Sequence, residues 1–157
     1  MKPLKIVAVL LVTWFATLAL CAEARDSATG FDASANPAAD VARAVQQAKA
    51  THRKVLVIAG GEWCPWCRAL DAFITNDADA RSALDRAFVT VHVYYGEKNR
   101  NEAFFATMPR AKGYPHFWIL AWNGELIESV DTSIIEDGKS GYDKEKFLRF
   151  VAEYGGT

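Results

Sequence analysis

The residues able to do chemistry lie in one short stretch. In GEWCPWCRAL, Gly61–Leu70, two cysteines stand three apart with Pro65 and Trp66 between them, directly after the apolar run VLVIA, Val55–Ala59. Pro65 suits the first position of a helix, because the N–H it lacks is one that a helix start leaves unbonded in any case. Cys64 is then the N-cap, with its side chain facing the free N–H groups of Trp66 and Cys67. Those donors and the positive end of the helix favour a thiolate over a thiol. Cys67 follows on the same helical face, where Cβ atoms lie about 5–6 Å apart before adjustment. A small movement closes a disulfide, so the pair can pass between dithiol and bridge. That is a redox couple.

Three other uses of such a pair weigh less. A structural disulfide across three residues closes a very small loop and removes little unfolded-state entropy. A structural zinc site wants four ligands, and His52, His92 and His116 are scattered among different elements with no second cysteine pair beside them. Covalent haem attachment needs a histidine after the second cysteine, where Arg68 stands. Neither a metal nor another cofactor is expected.

The elements that must position the pair can be read in order. Asn36-Pro37 is a cap followed by a first-turn proline, and Val41, Ala44, Val45 and Ala48 recur at helical spacing to about Ala50. VLVIA reads as a buried strand, and a helix should run from Cys64 to about Ile74. DADARSALDRA is a second helical piece under an Asp77 cap. FVTVHVYY, Phe88–Tyr95, is β-branched and aromatic throughout and predicts a central strand. NRNEAFFATM reads as helical and stops before Pro109. HFWILAWNGELIESV predicts two strands joined at Asn123-Gly124. DKEKFLRFVAEY closes the chain as a helix under an Asp143 cap, with Phe147, Phe150, Val151 and Tyr154 on one face. The result is one α/β domain with helices on both faces of a mixed sheet and a C-terminal hairpin plus helix.

The N-terminus suggests where the pair works. MKPLK is basic, Ile6–Leu20 is uncharged and apolar, and Ala22 and Ala24 form an A-x-A arrangement. Residues 1–24 are therefore expected to be a secretory signal peptide. As a helix the apolar run spans about 22 Å, short of the roughly 30 Å of hydrocarbon, so an uncleaved membrane anchor is the weaker alternative. Residues 25–36 are small and polar and read as a flexible lead-in, and residues 37–157 form the domain. Cleavage after Ala24 removes Cys21 and leaves Cys64 and Cys67 alone in a compartment where disulfides persist. The chain has 157 residues, enough for a single core, and a net charge of −1, which offers nucleic acid no electrostatic footprint.

With the elements placed, WCPWC resembles the active site of thioredoxin-fold proteins, whose pattern is W-C-x-x-C after a buried strand and at the start of a helix. The likeness extends to GYPHFWILAWNGELIES, a strand beginning at a proline and then a hairpin, and spans Pro37–Tyr154. It implies an exported, periplasmic thiol–disulfide oxidoreductase acting as a monomer on protein thiols and disulfides. The reductive direction is favoured, with a membrane thiol carrier as electron donor. Cys64 would attack and Cys67 would resolve. Pro115, after Tyr114, matches the family's cis-proline, where the preceding backbone pairs with an extended substrate. Trp63, Pro65, Trp66 and Tyr114 would complete a rim for that peptide, while Trp118 and Trp122 read as packing residues.

Two departures from the family stand out. Ile58 occupies the strand position, six before the first cysteine, where thioredoxin has a buried aspartate as proton acceptor, and Glu62 is only a weak substitute. The spacer is Pro-Trp rather than Gly-Pro, with proline directly after the first cysteine as in glutaredoxins. An oxidant or isomerase, a glutaredoxin-like exchange, and a copper- or zinc-carrying module on the same fold are the alternatives. The loop DTSIIEDGKSGY, Asp131–Tyr142, is long for its connection and reads as a candidate partner surface.

Overall fold

Most helices begin on side chains suited to the task. The structure, a computed structural model, describes residues 30–156. Helix α1 (Pro37–Thr51) starts at Asn36, whose Oδ1 accepts from the Ala39 N–H at 3.1 Å. Cys64 caps α2 (Pro65–Asn76), and Asp77 caps α3 (Ala78–Ala87) through the N–H groups of Asp79 and Ala80. Helix α4 (Glu102–Phe105) is a single turn, and α5 (Lys144–Gly155) starts at Asp143, which takes the Lys146 N–H. Side-chain caps of this kind are each worth about 1 kcal/mol.

The shortness of α4 departs from the ten-residue helix its composition predicts. Asn101 takes a left-handed backbone with φ 47° and offers no side-chain cap. Its amide instead donates to the Tyr94 carbonyl at 2.8 Å. At the other end Pro109 disfavours helical geometry at Met108.

Four strands form one sheet in the order β2-β1-β3-β4, with β1 Lys54–Gly60, β2 Phe88–Tyr94, β3 His116–Leu120 and β4 Leu126–Asp131. Strand β1 runs parallel to β2 and antiparallel to β3, and β3 runs antiparallel to β4. The expectation of a central strand at Phe88–Tyr95 is therefore corrected: among the described residues β2 is an edge. Its apolar composition reflects helices over both of its faces, and face coverage does not report lateral position. The hairpin between β3 and β4 is present, but Asn123-Gly124 is not a two-residue turn. The Gly124 N–H closes on Ala121 O at 2.9 Å, and only Gly124 has positive φ, at 90°. This is a three-residue connection with glycine at its left-handed position.

Strand alternation divides the core in two. Val55, Val57, Ala59 and Trp118 pack beneath α1 and Phe104 of α4. Leu56, Ile58, Phe117 and Ile119 meet Cys67 and Leu70 of α2, Leu84 of α3, and Phe147 and Phe150 of α5. Both faces are covered, as an α/β thioredoxin-like fold requires. Phe31, within the stretch read as a flexible lead-in, is buried in the second layer. The proposed signal peptide and the start of that lead-in lie outside the described residues. Among the described residues no helix is long and apolar enough to cross a membrane.

Candidate functional site

The end of β1 delivers the chain to the site. After Gly60 the backbone turns so that the Cys64 N–H reaches Gly61 O at 3.1 Å, and α2 begins. Cys64, extended at φ −86° and ψ 117°, is the N-cap. Its Sγ accepts the Cys67 N–H at 3.2 Å. Sequence reasoning expected two amide donors, from Trp66 and Cys67, and the geometry provides the second. Both cysteines stand as free thiols.

The two sulfurs occupy unlike surroundings. Cys67 is fully buried and Cys64 is 4% exposed, at the mouth of the site. Burial pushes the Cys67 thiol well up. A hydrogen bond with Cys64, the charge Cys64 carries as a thiolate and the negative charge of Asp71 act in the same direction, against a lowering by the Gly61 backbone. Cys67 therefore keeps its proton at neutral pH.

The Tyr114–Pro115 peptide is cis, and the Cys64 Sγ–H donates to the Tyr114 carbonyl at 3.3 Å. The hydroxyl of Thr132, in the 3-10 turn Thr132–Ile135, donates to Pro115 O at 2.8 Å and ties this strand entry to the following segment. Trp63, 51% exposed, packs edge-on against Tyr114 at 6.0 Å between ring centroids. Its Nε1–H donates to Tyr95 O at 2.6 Å. Tyr95 stacks on Tyr114 at 5.0 Å. Burial, with smaller contributions from Tyr95 and Cys67, holds the Tyr114 phenol up at about 12.

The structure thus brings Trp63, Cys64, Cys67, Tyr114 and Pro115 together. Pro65 is exposed beside Cys64, and Trp66 meets the Tyr142 ring edge-on at 5.7 Å. Trp118 is fully buried, whereas Trp122 lies on the surface under the Lys49 ammonium at 5.9 Å. Among the described residues no group of three or more His, Cys, Asp or Glu side chains is placed to hold a metal ion.

Sequence reasoning missed Tyr95, Phe31 and Tyr142. Tyr142 ends the long loop, and its hydroxyl donates to Trp66 O at 3.2 Å, inside the first turn of α2. Together with Thr132 it makes Asp131–Tyr142 a strut beneath both halves of the site. Removing the hydroxyl takes one hydrogen bond from the first turn of α2, so Tyr142→Phe is expected to lower stability by about 1 kcal/mol. Urea unfolding followed by tryptophan fluorescence measures this, and an unchanged midpoint would remove the strut.

Comparisons with known proteins agree with this fold. A family profile described as thioredoxin-like matches residues 36–121, a stretch that holds both cysteines and Pro115 and ends before β4. No curated protein sequence matches. Among solved structures, a disulphide isomerase from Xylella fastidiosa Temecula1 is similar at 22% identity and a TM-score of 0.68, over 78% of this chain and 93% of that one. The C-terminal domain of Neisseria meningitidis DsbD in its oxidised form is similar at 18% identity and 0.57, over 76% and 97%. A thioredoxin from Thermus thermophilus is similar at 22% identity and 0.50, over 71% and 81%. At these identities the likeness is one of fold.

Proposed function

The chain belongs to the thioredoxin-like family, and from that premise we propose that it is an exported thiol–disulfide oxidoreductase working on protein disulfides through Cys64 and Cys67. The observation that carries the reading is the contrast between the two sulfurs. Cys64 Sγ sits at the mouth and accepts the Cys67 amide at 3.2 Å, beside the carbonyl that precedes a cis-proline. Cys67 lies fully buried behind it with its proton held on.

The cycle follows from that contrast. The Cys64 thiolate attacks one sulfur of a partner disulfide and the other leaves as a thiolate. Cys67 then gives up its proton and attacks Cys64 Sγ, which closes the Cys64–Cys67 bridge and frees the reduced partner. Two electrons have moved from the pair to the substrate. A thiol donor must reduce the bridge again, and a membrane thiol carrier suits an exported protein. Trp63, Pro65 and Tyr114 form the docking rim for an extended peptide, and the chain acts as a monomer.

The test is insulin reduction by the purified protein with dithiothreitol. Precipitation faster than with dithiothreitol alone is expected, and no acceleration would overturn the activity. The reduction potential then sets direction. A value near about −270 mV belongs to a reductase, and one near about −120 mV to an oxidant. The disulphide isomerase among the similar folds favours a second reading, isomerisation, which would place the potential near about −180 mV.

A further inference from the structure

The resolving step has a gap. Cys67 must lose a proton from a fully buried sulfur, and Ile58 fills the strand position that the thioredoxin resemblance reserves for the acceptor. Glu62 is exposed and does not fill the gap. Two of the other titratable groups charge-coupled to Cys67, Tyr114 and Tyr142, are phenols that burial raises, so neither takes a proton at neutral pH. Cys64 is the bond partner itself.

A different pair stands on the same face. Ile58 is in register with His92 of β2, and alternation turns both toward α2. Asp71 is one helical turn beyond Cys67, in the i,i+4 relation that places side chains side by side. His92 Nε2 lies 3.3 Å from Asp71 Oδ1 with the histidine side chain 8% exposed and the aspartate side chain 30%. The contact is outside hydrogen-bond alignment, so both ring nitrogens of His92 lack a hydrogen-bond partner among the described residues. An unpaired buried imidazole is costly. Phe31 covers it edge-on at 5.0 Å, and the same ring tip borders Gly60 next to Cys67 Sγ. Asp71, whose charge acts on Cys67, thus stands one helical turn from the buried thiol with its carboxylate in reach of water.

We infer that Asp71, oriented by His92, takes the proton that Cys67 loses as it resolves the mixed disulfide. The inference rests on the proposed exchange activity and adds a residue to it. In the step, the Cys67 Sγ–H bond breaks and the proton passes to the Asp71 carboxylate, directly or through one water. The electron pair left on sulfur forms the Cys67–Cys64 bond. The Cys64–partner bond breaks, the partner leaves as a thiolate, and Asp71 returns the proton to solvent from its exposed side. His92 is a positioning residue. It acts through Asp71.

Ellman's reagent separates the two steps in the purified protein. Attack by Cys64 releases one coloured thiolate, and displacement by Cys67 releases the second. Asp71→Asn, nearly isosteric, is expected to lower the ratio of second-phase to first-phase rates at pH 7 at least about tenfold, as loss of a general base does. A bystander role predicts the opposite sign. The negative charge of Asp71 helps hold the proton on Cys67, so removing a mere bystander would speed the second phase. An unchanged or raised ratio overturns the assignment. His92→Gln should lower the same ratio, and the double variant should be no slower than Asp71→Asn alone. Additive slowing overturns the part given to His92. If Asp71→Asn does not fold, His92→Gln carries the same readout, and an unchanged ratio there is equally adverse. Failure of wild-type insulin reduction with both phases intact would remove the proposed function and leave the proton assignment standing.

Discussion

Cys64→Ala is expected to reduce insulin no faster than dithiothreitol alone, whereas Cys67→Ala retains the first half-reaction and stalls there. The asymmetry follows from position. Cys67, in the first turn of α2, is fully buried and cannot meet a partner's disulfide, so without Cys64 no mixed disulfide forms. Without Cys67 the mixed disulfide forms and, where no dithiothreitol is present, persists, because no second thiol is held against the same sulfur. Turnover in both variants should fall at least about 100-fold, with intramolecular positioning lost in one and the nucleophile lost in the other. On non-reducing gels of cells expressing the variants, Cys67→Ala should show adducts that dithiothreitol dissolves, and Cys64→Ala none. Adducts on Cys64→Ala, or their absence on Cys67→Ala, would reverse or remove the roles. The recovered partners would also identify the substrates.

Much of this arrangement was legible in the sequence because it is local. Asn36, Cys64, Asp77 and Asp143 were each readable as caps, since a cap depends on a side chain and the amides two and three residues on. The Cys64–Cys67 relation, the buried strand before it and the final amphipathic helix were legible for the same reason. What escaped the sequence was lateral and long-range. The pattern of Phe88–Tyr94 reports two covered faces and says nothing of which neighbours pair with its edges, so β2 was misplaced in the sheet. Asn101 spends its side chain on the Tyr94 carbonyl, a contact that no helical pattern reveals, and α4 shrinks to one turn. Phe31 looked like part of a polar lead-in because a single aromatic carries no periodicity. The site suffered likewise. Tyr142 and Thr132 lie far from the cysteines in sequence, and their hydrogen bonds to Trp66 O and Pro115 O are long-range contacts. His92 could be weighed as a metal ligand but not as a neighbour of Asp71, since the register of β1 with β2 brings them together.

That same register makes Gly60 a sensitive backbone position beside Cys67. A Cβ built there would stand 2.5 Å from Cys67 Sγ and 3.1 Å from Phe31 Cζ, well inside the roughly 3.5–4.0 Å of comfortable contact. The constraint is one of space, because Gly60 lacks positive φ. The strand has little freedom to retreat, being paired with Tyr94 in β2 and bonded from its carbonyl to the Tyr95 N–H at 2.7 Å. Phe31 is itself buried in the core, and Cys67 is held in the first turn of α2. Gly60→Ala should therefore cost about 1–3 kcal/mol of stability, the usual range for overpacking. It should also shift Cys67 Sγ off its line to Cys64, and a misplacement of about 1 Å slows a positioned reaction about 100-fold. Urea unfolding reads the first effect and the second phase with Ellman's reagent reads the second. Gly113→Ala is the control, with no atom within 4 Å of the added methyl and no positive φ, and should stay within about 0.5 kcal/mol of wild type. A Gly60→Ala protein as stable as the control, with an undiminished second phase, would mean that Cys67 is free to move. The tight seat over the strand, on which the separation of attacking from resolving sulfur depends, would then be lost.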